Sequence, residues 1–246
     1  MQFFIFVLLI CFLIFLFCLY LLANDDFVLL RKDVSTEKVF DMALVMAILS
    51  LLGARILYVI VNPNSGFLNP LVFIMFPYFP GLSLTGALIG ALFAFFLFYA
   101  KYSKVPVGRL LDFFSISFLA TLPVGLLGYL FLSWVDNEVK HAYIIGLIVV
   151  YIILLIVVLK FCLPALLSGK LKDGTICLIF LISFSIISLI ENSIDRGVKN
   201  LFNTGIEDVA LLLIFFVSLV FLFRQEKLIS RIKKLNLKTI VKLSKR

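Results

Sequence analysis

Between Ser83 and Trp134 the chain reads as two uncharged apolar runs, residues 81–100 and 113–134, joined by a short segment carrying Lys101, Lys104 and Arg109. Each run has about the 20 residues that a helix needs to cross hydrocarbon. Small residues recur inside them at close spacing: Gly86 and Gly90 in the first, Gly125 and Gly128 in the second. Lipid tails are as apolar as the helices, so spanning helices pack where small residues let backbones approach. A packing seam is the plain reading of these glycines.

The rest of the chain follows the same rule. Of 246 residues, 63% are hydrophobic, which is far from the composition of a soluble domain. Further apolar runs lie at residues 3–23, 39–61, 142–159, 175–190 and 209–223. The first has no basic residues before it and no small-residue cleavage site after it, and at about 21 residues it is too long for a signal-peptide core. It is expected to stay as an anchor. The expected fold is therefore an all-α integral membrane protein of seven transmembrane helices, residues 1–223, followed by a cytoplasmic tail, residues 224–246. Ser35, Thr36 and Glu37 form a helix-start signal for the second span. Residues 62–80 hold four of the seven prolines and an apolar patch, 71–76, too short to cross, which predicts an interfacial or re-entrant element.

Orientation follows from the basic residues. Arg31, Lys32 and Lys38, then Lys101, Lys104 and Arg109, then Lys160, Lys170 and Lys172, and nine residues of the tail all fall on one side, 18 of the 22 Lys and Arg. Arg55, Lys140, Arg196 and Lys199 fall on the other. The positive-inside rule puts the N-terminus outside and the C-terminus in the cytoplasm. The tail has nine basic residues and one acid, so it carries the whole net charge of +8. Ile229, Ile232, Leu235, Leu237, Ile240 and Leu243 interleave with those charges, as in a basic amphipathic helix on an anionic membrane surface. No nucleic-acid partner is implied. Cys11, Cys18, Cys162 and Cys177 sit in apolar runs without metal-ligand spacing and read as packing residues. No metal or cofactor is expected.

The central stretch resembles bacterial prolipoprotein diacylglyceryl transferase, a seven-helix membrane family. That family writes S-F-H-G-G-L-I-G, later D-F, then G-R-x-G-N-F-x-N-x-E. Here Ser83-Leu84-Thr85-Gly86-Ala87-Leu88-Ile89-Gly90 is followed by Asp112-Phe113 and by the run from Gly125 through Leu126 and Gly128 to Trp134. The frame matches and the chemistry does not. Thr85 stands where the family has histidine, Leu126 where it has arginine, Tyr129 and Leu132 where it has asparagines, and Trp134 where it has glutamate. Gly53-Ala54-Arg55-Ile56-Leu57-Tyr58 is similar to the family's G-x-R-x-G-Y, and the segment from Ile187 to Glu191 to its R-x-x-x-E, with Ile187 replacing the arginine.

The resemblance implies transfer of a diacylglyceryl group from phosphatidylglycerol to a lipoprotein cysteine in the bacterial cytoplasmic (inner) membrane. Such a site needs cations to hold the phosphate in low dielectric, and a base or an electropositive setting to form the thiolate. Thr85, Leu126 and Ile187 supply neither. The expectation is a catalytically degenerate member that keeps a phosphatidylglycerol-binding scaffold, with Arg55, Tyr58, Gly86, Gly125, Gly128, Glu191 and Arg196 as its lipid-binding residues. Lipoprotein precursors or another membrane protein are the implied further partners. An active transferase with relocated chemistry and an unrelated seven-helix transporter or receptor stay open. Arg55 has two readings, a lipid-phosphate ligand or a structural residue that pairs or snorkels. Asp41 and Asp112 fall near helix starts, where the dipole favours acids, and His141 reads as a loop residue.

Overall fold

The computed structural model describes residues 2–24, 26–63, 81–101, 105–132, 138–196 and 205–226, and these contain helices and no strands. The order is α1 Gln2–Asn24, α2 Phe27–Arg31, α3 Thr36–Val61, α4 Leu84–Lys101, α5 Val107–Leu132, α6 Glu138–Val157, α7 Leu163–Leu167, α8 Thr175–Arg196 and α9 Ile206–Glu226. Among the described residues, six stretches are long and apolar enough to cross a membrane, on α1, α3, α5, α6 continuing into α7, α8 and α9. A shorter apolar stretch, Leu84–Phe98, belongs to α4. The expected element within 62–80 falls mostly outside the described residues, as does the tail beyond Glu226.

The helix starts have local causes. Ser35 caps α3, its hydroxyl accepting from the Lys38 N–H at 3.4 Å. Ser83 does the same for α4, accepting from the Gly86 N–H at 3.2 Å. Each satisfies an amide that the first turn leaves without an intrahelical partner. The fifth apolar run extends beyond the expected residue 159. Its backbone widens into a π turn, Val158–Cys162, before resuming as α7. The widening stands directly before Pro164, which has no N–H to give and whose ring crowds the carbonyl four residues back.

The spans pack in two layers of core around α5, the most enclosed of them. One cluster joins Leu19 of α1, Leu29 of α2, Met42 and Ala43 of α3, Phe95 of α4 and Phe113 of α5. The other joins Leu88 of α4, Leu119 and Leu122 of α5, Tyr151 of α6, Phe180 and Phe184 of α8 and Leu211 of α9. Helices α3 and α4 are antiparallel, since Gly86 faces Gly53 while Gly90 faces Leu49. The last turn of α1, the first of α5, the end of α7, the start of α8 and the end of α9 come together at one end of the bundle, through contacts described below.

Candidate functional site

The C-terminal part of α3 and the start of α4 hold each other through Arg55 and its neighbours. Arg55 is only 3% exposed, which removes the snorkelling reading. Its Nη1 donates to the Gly81 carbonyl at 2.9 Å, and its guanidinium carbon lies 5.9 Å from the centre of the Tyr58 ring. The Ser83 N–H donates to the Ala54 carbonyl at 3.1 Å. Gly81 has a φ of 152°, and a Cβ there would fall 2.2 Å from the Tyr58 ring, so no other residue fits beneath that tyrosine. Arg55, Tyr58, Gly81 and Ser83 thus form one clasp.

Below it the glycines do what the packing reading required. A Cβ on Gly86 would lie 2.5 Å from the Gly53 carbonyl oxygen, and one on Gly90 would lie 2.3 Å from that of Leu49. Backbone meets backbone there, so neither neighbour can give way. Gly128 serves a different contact: its added Cβ would strike Val7 of α1 at 2.3 Å. Gly125 stands in the same crossing, with only the Cys11 sulfur nearby at 3.7 Å. The four glycines therefore line two seams, α3 with α4 and α1 with α5.

Two of the positions that differ from the family motif pack against one cluster. Leu126 of α5 and Ile187 of α8 are both partly buried against the cluster built on Leu88, Leu122, Tyr151 and Phe184. Thr85 is 5% exposed and sits one helical turn before Leu88. Tyr129 is 55% exposed and takes no place in that cluster. Leu132 and Arg196 end α5 and α8, but their side chains, like all of Trp134, lie outside the described residues. Glu191 is half-buried on α8. One residue on, Asn192 donates to Asp208 Oδ1 at 2.9 Å, and Asp208 Oδ2 accepts from the Gly205 N–H at 2.9 Å.

Sequence reasoning missed the polar structure at the opposite end. Arg109 reads as a loop charge that sets topology, yet it lies in the first turn of α5 and is 4% exposed. Its Nε and Nη2 both donate to Asp26 Oδ2, at 2.9 and 2.8 Å, and its Nη1 donates to Asp173 Oδ1 at 3.2 Å and the Leu166 carbonyl at 3.3 Å. The other oxygen of Asp26 caps α2, accepting from Val28 and Leu29. Asp112, fully buried, does not serve its own helix. Its two oxygens accept from the Gly174 and Cys177 N–H groups at 2.7 and 2.9 Å, capping α8. The dipole argument holds, but for a helix some 60 residues away in the chain. Gln225 and Lys172 complete this end, Gln225 donating to the Asp173 carbonyl and Lys172 to the Gln225 carbonyl.

The family described as prolipoprotein diacylglyceryl transferase matches residues 2–134, just over half of the chain. The match takes in α1 to α5 with Arg55, Thr85, the paired glycines and Leu126, and it stops short of Ile187 and Glu191. Neither a curated protein nor a solved structure matches. A family match of that extent, on a bundle of apolar helices whose α3–α4 and α1–α5 seams carry the family's glycines, sets the unrelated transporter or receptor aside: this chain is a membrane protein of the prolipoprotein diacylglyceryl transferase family.

Proposed function

We propose that the chain is a catalytically degenerate member of its family that keeps the scaffold for an anionic phospholipid, phosphatidylglycerol by the family's chemistry. The observation that carries this reading is the packing of Leu126 and Ile187. Both stand where the family motif has arginine, and both are partly buried against the apolar cluster that contains Leu88, Tyr151 and Phe184. A phosphate transferred into such a site would lose its hydration without gaining a cation, at a cost of about several kcal/mol or more. Thr85 adds no base of useful basicity.

What remains is the clasp on the outer side. Arg55 supplies a guanidinium, the group best matched to a phosphate, held by Gly81 and Tyr58 at the end of the α3–α4 seam. Glu191 and Arg196 belong to the same outward end. On this reading the protein has seven transmembrane helices in residues 1–223, counting α4, with the N-terminus outside and the basic tail, 224–246, on the cytoplasmic surface of the bacterial inner membrane. The gathering of the ends of α1, α7 and α9 with the starts of α5 and α8 supports that parity, because alternate crossings must share a side. Its partners are then the membrane, phosphatidylglycerol, and lipoprotein precursors or a second membrane protein.

The test is complementation. In a bacterium whose own transferase is repressed, this chain, at a membrane abundance matched to a full-motif transferase by a tag, is expected to leave prolipoprotein unmodified. Groups lost together from one site typically remove about 10²-fold or more of rate even when only one is counted. Lipidation of the precursor by this chain alone would overturn the degenerate reading in favour of an active enzyme.

A further inference from the structure

Helix α2 is five residues long, and every turn of it is fixed. Asp26 caps its start and is tied by its second oxygen to the buried Arg109. At its other end the Asp33 N–H donates to the Leu30 carbonyl and the Val34 N–H to the Leu29 carbonyl, at 3.2 and 3.1 Å. That pair of bonds is the Schellman closure, and it puts Asp33 at a φ of 52°, where glycine is the usual residue. Leu29 is buried and Val34 packs beside it in the core. Yet Phe27 is 85% exposed and Leu30 is 58% exposed, on the outward side of the same short helix.

We propose that α2 is an interfacial wedge, with Phe27 and Leu30 inserted among the acyl chains and glycerol backbones of the leaflet at the basic end of the bundle. Two observations favour lipid over water or a protein partner. Helix α2 begins directly after the membrane-spanning part of α1, Ile5–Asn24, whose last outward residues, Phe17, Tyr20 and Leu21, are all exposed. Its apolar side chains therefore stand at the hydrocarbon–water boundary. Arg31 and Lys32, both exposed, follow at once and have stems long enough to keep their charges at phosphate depth. The double cap and the Arg109 tie hold the helix in place beforehand, so insertion orders few further residues. The inference needs only that α1 spans a membrane; it does not depend on the proposed phosphatidylglycerol site.

The chain has a single tryptophan, Trp134, which allows a clean probe. The full-length protein carrying Trp134→Phe with Phe27→Trp, and a second version with Leu30→Trp in place of Phe27→Trp, would be reconstituted into phosphatidylcholine–phosphatidylglycerol vesicles. Fluorescence would be compared with vesicles whose lipids are brominated at the shallow 6,7-positions. The expected result is blue-shifted emission, loss of fluorescence in the brominated vesicles and protection from aqueous acrylamide, in whichever of the two variants folds and in both if both do. Red-shifted emission quenched by acrylamide would overturn the proposal in favour of a solvated loop. Protection from both quenchers would overturn it in favour of a contact between protein chains.

Discussion

Arg55 and Arg109 are buried to the same degree, at 3% and 4% exposed, at opposite ends of the bundle, and they are held in different ways. Arg109 is answered by two carboxylates and a carbonyl, one of those carboxylates being itself buried. The clasp around Arg55 is made with a neutral carbonyl and an aromatic ring. Removing one partner of the buried Arg109–Asp26 pair leaves the other charge uncompensated, which makes Arg109 a residue the fold needs in place. Arg55 instead ties the end of α3 to the residues that open α4, through Gly81 and Tyr58, and its proposed ligand is a lipid headgroup. Whether the two arginines differ in role is decided by variants that remove each of them.

The largest effect is expected at Arg109. Arg109→Met keeps the bulk of the side chain and leaves Asp26, whose side chain is 1% exposed, charged and unpaired. Loss of one partner of a buried pair costs about 3–5 kcal/mol. Denaturant unfolding in detergent micelles should show that loss, with Asp26→Asn combined with Arg109→Met recovering a good part of it. If the double variant is no more stable than the single one, the ion pair is not what holds this end together.

Arg55→Gln is the matching change at the other end. Glutamine is two bonds shorter than arginine, so the charge and the Nη1 bond to Gly81 are lost together while a polar side chain stays. Retention of phosphatidylglycerol over a zwitterionic lipid, read by native mass spectrometry, should weaken by roughly tenfold or more, the worth of a charge-assisted bond at about 1.5–3 kcal/mol. An unchanged lipid preference with a large drop in stability would make Arg55 a second Arg109, and the contrast would collapse.

How far these ends were legible in the sequence depends on what kind of signal each carries. Apolar runs and their glycines are repeated, local signals, so the spans and the Ser35 start could be read directly, while the glycines marked close packing without saying which helices meet. Arg55 stood out because a charge inside an apolar run is rare. Arg109 did not, because basic residues between spans are expected for topology and nothing local separates a buried one from a solvated one. Asp26, followed by Phe27, Val28, Leu29 and Leu30, does carry an N-cap signal. Its partners, Arg109 and Asp173, are distant in the chain and visible only once the helix ends meet. That Leu126 and Ile187 pack against one cluster was implied by the family likeness alone; no periodicity in α5 or α8 points one at the other.

The seam between the two ends provides an internal control. Gly90→Ala would put a methyl group 2.3 Å from the Leu49 carbonyl oxygen, and backbone on both sides prevents easy relief. Overpacking of this kind costs about 1–3 kcal/mol. Gly146→Ala on α6 meets nothing within 4 Å and should be neutral or slightly stabilising through its better helix propensity. The two are compared by thermal unfolding of the purified protein. Equal behaviour would mean that the α3–α4 approach is looser than described, and with it the clasp that positions Arg55.

The smallest effect, and the one that tells whether the basic end is held by charge or by hydrogen bonds, is expected for Asp112→Asn. Both carboxylate oxygens are in use, on Gly174 and Cys177, and asparagine has a single acceptor oxygen. One amide of the first turn of α8 would then lose its partner, a loss worth about 1 kcal/mol. The loss should be local. Hydrogen exchange by mass spectrometry should show protection reduced about fivefold, the equivalent of that loss, in peptides spanning Gly174 and Cys177, with peptides from α3 and α4 unaffected. A fall in protection throughout the chain would mean that Asp112 supports the bundle as a whole. No change at Gly174 would mean that Arg109 and its two carboxylates hold the start of α8 without it, and that the basic end is fixed by charge alone.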